Sequence, residues 1–309
     1  MVHVSPDVAD RRNGRVTPLS VRLFVAGLHA ASAGAGRLPR RTYAEPICRV
    51  VGALWYLSRP DSRAAVRDNL CHVLGRAPSR ALVARVFHHG ALNYWDTLAM
   101  PHFTYEQLME LVDIHGIEHL DHARTAGRGV ICAGAHLGSV ALVAQILPGL
   151  GYPVTGVIEQ FEPAEVFDFF AEQRQVLGTR LLPAGAAAAR EMLLALRRNE
   201  VIGLVTDRDV AGTGPSISFF DAPTIFPEGA AWLSIRTGAP ILIAVAVRKA
   251  GGRFDAWLEP LPEVQRTGDR KVDILRVTQA VAGRLQYYVA NHPEQWTVFQ
   301  RRWPEAQAG

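Results

Sequence analysis

Apolar positions along the chain follow two different rhythms, and the change comes near residue 104. Up to Phe103 the spacing is helical, over Leu19 to Ala35, Tyr43 to Leu57, Asp61 to Leu74 and Ser79 to Met100. Ser58 and Pro60 stop one of these helices, and Ser79 after Pro78 is placed to cap the next. On the first helix Val21, Phe24, Val25 and Leu28 share a face, while Arg22 and His29 share another. That pattern suits a helix lying in a bilayer interface, or one packed on its own domain. Beyond residue 104 a short helix, Tyr105 to Val112, and an edge strand, Ile114 to Ile117, lead into a regular alternation. Short buried runs at Gly129 to Ala133, Val154 to Ile158, Arg180 to Leu182, Val201 to Thr206, Ile241 to Val247 and Phe254 to Leu258 read as strands. The segments Val140 to Leu147, Ala164 to Leu177, Ala186 to Arg198, Gly229 to Thr237 and Val272 to Val289 read as helices, and Thr213 to Phe220 as a loop and strand. Such alternation predicts an α/β fold with a mainly parallel central sheet flanked by helices, preceded by N-terminal amphipathic membrane-docking helices. The expected organisation is a loose tail at 1–17, a helical membrane-associated section at 18–103, and an α/β core at 104–309 continuous with it.

Composition narrows this picture. The 309 residues carry a net charge of +4, too little to argue for nucleic acid as a partner. Arginines from Arg11 to Arg67 crowd the N-terminal quarter, however, and a basic, apolar N-terminal region favours an anionic membrane surface. No run of 18 apolar residues is present, since Arg22 and His29 interrupt the one candidate, and residues 1–17 lack the apolar core of a cleavable signal. Cys48, Cys71 and Cys132 have no metal-ligand spacing and read as reduced, small apolar residues. His88 and His89, adjacent on a helix, face different ways, and Asp113, His115, His119 and His122 match no zinc pattern, so no metal site is expected.

The candidate chemistry gathers at strand ends. His136 follows the strand Gly129 to Ala133 through the turn Gly134-Ala-His-Leu-Gly138 and precedes a helix. Ligands bind at such carboxyl ends in open α/β sheets, and the N–H groups of a first helical turn face the same crevice. Glu159 follows Val154 to Ile158, and Asp207-Arg208-Asp209 follows Val201 to Thr206. If the strands are parallel neighbours, His136, Glu159 and Asp207 converge on one edge, where a carboxylate beside the imidazole makes it an effective general base. Gly138-Ser139 lacks the surroundings of a nucleophilic serine elbow. Arg174, four residues beyond Phe170, lies near the apolar face of its helix, as an arginine that pairs with an acid or binds an anion does.

Taken in order, Ala-His136-Leu-Gly-Ser, Val-Ile-Glu159-Gln-Phe-Glu-Pro, Phe-Phe-Ala-Glu-Gln-Arg174, Thr-Asp207-Arg-Asp209, Phe219-Phe220, Pro227-Glu-Gly-Ala and His292-Pro-Glu-Gln-Trp296 with Arg301-Arg302-Trp303 form a series of motifs. From Leu19 to Trp303 the chain resembles the bacterial lipid A late acyltransferases, and among them the phosphatidylinositol mannoside acyltransferases most. The resemblance implies an enzyme that transfers a fatty acyl chain from acyl-CoA or an acyl carrier protein thioester to a hydroxyl of a glycolipid or lysolipid. It implies no metal or redox cofactor, and a place on the cytoplasmic face of the cytoplasmic membrane, peripheral or monotopic. His136 is then the histidine of the family's His-x4-Asp/Glu motif and Asp207 its partner, with Glu159, Arg174, Arg208, Asp209 and Ser139 lining the substrate site. Two positions depart from the family pattern. Ala141 stands where the motif has its acid, and Gln160 where relatives often have arginine. The first raises an alternative expectation, a catalytically impaired homologue that binds acyl-lipid as an adaptor.

Overall fold

A computed structural model describes residues 17–38, 40–209 and 212–303. The expected loose tail therefore lies outside the described residues, apart from Thr17. Four helices come first: α1 (Leu19–Arg37), α2 (Arg40–Ser58), α3 (Pro60–Leu74) and α4 (Arg80–Ala99). Ser79 caps α4 by accepting the Leu82 N–H, and Gly75 ends α3 in the left-handed conformation. The α/β portion then runs α5 (Tyr105–Met109), β1 (Val112–His115), α6 (Ile117–Arg124), β2 (Val130–Gly134), α7 (Val140–Val143), α8 (Ile146–Gly149), β3 (Val154–Ile158), α9 (Ala164–Gln173), β4 (Arg180–Pro183), α10 (Ala186–Arg197) and β5 (Val201–Val205). A hairpin, β6 (Ser216–Phe219) and β7 (Ala222–Ile225), precedes α11 (Gly229–Thr237), β8 (Ile241–Arg248), β9 (Phe254–Pro260) and α12 (Arg270–Asn291).

Seven strands form one sheet in the order β1-β9-β8-β2-β5-β3-β4. The strands from β8 to β4 are mutually parallel; β9 is antiparallel to β8, and the edge strand β1 runs with β9. Buried β2 lies at the centre, its side chains alternating between two helical layers. Ile131 and Ala133 meet α10, α11 and α12, while Val130 and Cys132 face Leu120 of α6. The register pairs Gly134 with Val205, so the loops that leave β2 and β5 emerge side by side on one edge.

The first helical section differs from the expectation in how its faces are used. On α1, Val21, Val25 and Leu28 are half-buried, Ser32 and Ala35 are buried, and His29 stacks edge-on to Phe169 at 4.8 Å, so much of the proposed interfacial face packs inward. Leu19, Leu23 and Phe24 point outward. Among the described residues no helix is long and apolar enough to cross a membrane. On α2 Ala44 and Cys48 are buried, Trp55 and Tyr56 pack against Phe87, and Gly52 approaches α4 so closely that a Cβ would stand 2.8 Å from His88 Cα. Six other large apolar residues, Tyr43, Ile47, Val50, Val51, Leu54 and Leu57, are exposed.

The helix expected over Val140 to Leu147 is broken into α7 and α8. The break falls at Gln145, which turns inward; its Nε2 donates to the Arg174 carbonyl at 2.6 Å and its Oε1 accepts from the Leu177 N–H at 3.3 Å. A buried amide that satisfies the end of a neighbouring helix outweighs one continuous turn. The edge strand begins two residues earlier than expected, α6 follows it, and β7 completes a hairpin separate from the main sheet.

Candidate active site

The turn after β2 is built to hold His136 still. The Leu137 N–H closes a tight loop onto the Ala135 carbonyl at 2.7 Å. Gly138 has φ +61°, and a Cβ there would stand 2.2 Å from the Ala246 carbonyl oxygen, so only glycine lets the turn settle against β8. The tail beyond α12 crosses this turn. Leu137 bridges Trp296, the Gly138 N–H donates to the Gln295 carbonyl at 3.1 Å, and Thr297 donates to the His136 carbonyl through its N–H at 2.8 Å.

Asp207 follows β5 and reaches the same turn. It is fully buried and accepts three hydrogen bonds: from the His136 N–H at 2.9 Å, from His136 Nδ1 at 2.7 Å, and from the Trp296 indole N–H at 2.7 Å. Burial alone would push this carboxyl up; the charge of His136 and the donors from His136 and Trp296 together hold it below the usual carboxylate range. An ionised carboxylate only accepts, so the neutral imidazole must carry its proton on Nδ1. Nε2 is then left as the acceptor, on a side chain that is 37% exposed.

Around this pair the sequence-derived residues divide. Glu159, at the end of β3, is exposed and forms an ion pair with Arg208 Nη2, beside Asp207 on the same sheet edge. Asp209 accepts from the Gly214 N–H at 2.8 Å and so orders the loop ahead of β6. Ser139 is buried, and among the described residues its hydroxyl has no hydrogen-bond partner. Arg174 ends α9, with its guanidinium 6.0 Å from the Phe170 ring centroid and its pKa lowered by burial. Among the described residues it makes no hydrogen bond or ion pair with His136, Asp207 or Glu159. The helix after His136 is a single turn, Val140–Val143.

Ala141, in place of the motif acid, packs against an apolar cluster with Met100, Leu142 and Ile146. A carboxylate there would face hydrocarbon. The imidazole takes its acid from Asp207 instead, so the departure that motivated the adaptor alternative leaves the histidine with a partner.

Two participants were not assigned from sequence. Trp296 was legible only as part of a motif; its indole N–H, which requires a partner when buried, was the available signal. Arg302 is buried beside the site, donating through Nη2 to the Ile225 carbonyl at 2.7 Å; burial lowers its pKa, against the opposing charges of Asp207 and Asp209. A recess of about 490 Å³ lined by Glu45, Arg85, His89, Arg248 and Gln295, among others, does not include the imidazole.

Comparison with known proteins adds to this geometry. Residues 24–305 match the family model described as bacterial lipid A biosynthesis acyltransferase. A phosphatidylinositol mannoside acyltransferase of Mycobacterium tuberculosis (strain ATCC 25618 / H37Rv) is 30% identical over 259 residues, covering 80% of this chain and 79% of the relative. The protein of the same name from Mycolicibacterium smegmatis is 31% identical over 255 residues, covering 80% and 82%.

Proposed function

The chain belongs to the bacterial lipid A biosynthesis acyltransferase family, and on that premise we propose that it transfers a fatty acyl chain from a CoA or carrier-protein thioester to a hydroxyl of a glycolipid or lysolipid at a membrane surface. One observation carries the reading: an imidazole at the carboxyl edge of the sheet, partly exposed and fixed through Nδ1 by a buried carboxylate, which leaves Nε2 as the acceptor.

In the reaction Nε2 removes the acceptor hydroxyl proton as the oxygen attacks the thioester carbonyl. Asp207 stabilises the imidazolium so formed. Collapse of the tetrahedral adduct breaks the carbon–sulfur bond, and the departing thiolate takes the proton from Nε2. Every atom is accounted for, and no metal or redox group enters. In this reading Glu159 and Arg208, paired on the same sheet edge, bind acceptor hydroxyls, and Arg174 binds an anionic group of either substrate. The names of the relatives favour a phosphatidylinositol mannoside as acceptor.

The membrane part of the proposal rests on the outward apolar residues of α1 and α2. Leu19, Leu23 and Phe24 with Val50, Leu54 and Leu57 are each more than half exposed, which is costly in water and favourable in an interface. The cytoplasmic face of the cytoplasmic membrane is where acyl thioesters are available.

The test is transfer of radiolabelled palmitate from palmitoyl-CoA into a total lipid extract of the source organism, with His136→Ala alongside. A labelled lipid whose formation falls by about 10²-fold or more in the variant is expected. Undiminished transfer by the variant would sink the assignment of the base.

A further inference from the structure

A polar chain, buried at Asp96 and Arg248 and half-buried at Asn93 and Thr297, links helix α4 to the backbone of His136. Asp96, fully buried on α4, pairs with Arg248 at the end of β8. Arg248 Nη2 also donates to Asn93 Oδ1 at 3.3 Å. The Asn93 amide passes the link on: its Nδ2 donates to Thr297 Oγ1 at 3.2 Å, and that hydroxyl donates to the His136 carbonyl at 3.2 Å. The Arg248 backbone is tied in separately, its N–H donating to Gln295 Oε1 at 2.7 Å and its carbonyl accepting from Gln295 Nε2 at 2.9 Å. Gln295 in turn receives the Gly138 N–H.

An ion pair in this position is a weak source of stability, because hydrocarbon of the same shape serves as well. What distinguishes it is where its links lead. Both routes from Arg248, through Asn93 and Thr297 and through Gln295, end on the turn from His136 to Gly138. The peptide units of His136 are consequently gripped from two directions, the N–H by Asp207 at 2.9 Å and the carbonyl by Thr297 at 2.8 and 3.2 Å. Asp207 fixes the ring through Nδ1 only if the backbone beneath it does not rotate.

We propose that Asn93 and Thr297, backed by the Asp96–Arg248 pair, are positioning residues that hold the His136 turn and so keep Nε2 aimed at the reacting hydroxyl. The proposal rests on the acyltransferase reading for its kinetic consequence, but the geometric consequence is independent of it. A shift in ring placement of well under an ångström is enough to slow proton transfer, while substrate binding at the rim is unaffected.

Thr297→Val removes the hydroxyl, keeps the shape, and leaves the backbone N–H bond in place. Its kcat should fall about five- to tenfold with KM unchanged, the effect of one lost hydrogen bond at a positioned group. Thr297→Ser should restore it. Asn93→Leu should give a similar loss, and the double variant Asn93→Leu/Thr297→Val should be no worse than either alone, since both act through one bond. In parallel, the imidazole resonances of His136 are followed by NMR in ligand-free protein; they should move in Thr297→Val and Asn93→Leu and return in Thr297→Ser. Unmoved His136 resonances in folded Thr297→Val or Asn93→Leu overturn the proposal, as do unchanged kcat or additive losses. Resonances that move in a set of proteins of which none transfers an acyl group leave the positioning role standing and remove the acyltransferase reading.

Discussion

Asp207 has no exposed surface, and each of its oxygens is committed to a donor from the turn or the tail. Replacing it by asparagine keeps the volume but puts an N–H₂ group where an acceptor is needed, which favours the wrong imidazole tautomer. Asp207→Asn should lower kcat by about 10²- to 10⁴-fold while leaving KM within a few-fold, measured by the same acyl-transfer assay. The depressed carboxyl pKa also makes a stability statement. A group whose folded pKa lies below its unfolded value stabilises the native state above the unfolded pKa, and that stabilisation is lost as pH falls through the folded value. In urea titrations the stability difference between the parent protein and Asp207→Asn should therefore stay constant above about pH 5 and shrink only below the ordinary aspartate range, near about 3.9. Ser139, three residues beyond His136, differs in that its buried hydroxyl has no hydrogen-bond partner among the described residues.

Helix α2 buries Ala44 and Cys48 and packs Trp55 and Tyr56 inward against Phe87, yet leaves Val50, Leu54 and Leu57 among a stripe of large apolar residues facing outward. Gly52 makes this arrangement affordable by letting the helix approach α4 closely. If the outward stripe seats in a bilayer interface, Val50→Asp with Leu54→Asp should weaken binding to anionic phospholipid vesicles by at least about tenfold, since each buried leucine or valine contributes about 1.5–3 kcal/mol. Co-sedimentation measures this, and equal pelleting of the variant with vesicles would remove α2 from the membrane contact. The same helices show what periodicity conveys and what it withholds. It located all four N-terminal helices and the strands from β2 to β5, because their apolar spacing is regular. The convergence of His136 and Asp207 was conditional on their strands being parallel neighbours, a condition that the pairing of β2 with β5 meets. Periodicity said little about which apolar face of α1 packs inward, because Leu23 is as apolar as Val21 and Val25, and Phe24, which spacing groups with those valines, points outward. Trp296 and Thr297 were out of reach for a different reason: they lie in a non-periodic tail whose partners are set by tertiary contact. Gln145, likewise, breaks a helix through side-chain bonds to residues some thirty positions away, about 29 to 32 in sequence.

Across the whole molecule the helical section and the sheet are joined by buried polar groups as well as by apolar packing, and this has a signature in acid. His89 on α4, beside Arg248, has its pKa lowered to about 3 by burial, with the charges of Arg248, His88 and Arg85 acting in the same direction and Asp96 opposing them. His88 is lowered as well, by burial first and with Glu45 opposing. A histidine neutral in the fold and ordinary when unfolded stabilises the native state above about pH 6.5, and that stabilisation drains away as pH falls toward about 3 at roughly 1.4 kcal/mol per unit. Relative to the parent protein, His89→Gln should show a flatter stability profile between pH 6 and 4 in urea or thermal unfolding, by about that slope; parallel profiles would show that His89 is free to titrate in the fold. The crossing of the tail over the His136 turn has a consequence of another kind, in time. Thr297 follows the histidine it holds by 161 positions, and Trp296 follows Asp207 by 89. On the ribosome β2 and β5 therefore emerge before either partner exists, and Asp207 can gain its indole donor only once residue 296 has been added. The complete His136 turn is thus a late addition to the chain, and a chain clipped ahead of Trp296 would lose the indole donor to Asp207, the Thr297 bonds to His136 and the core side chains of Trp296, Val298 and Trp303 together.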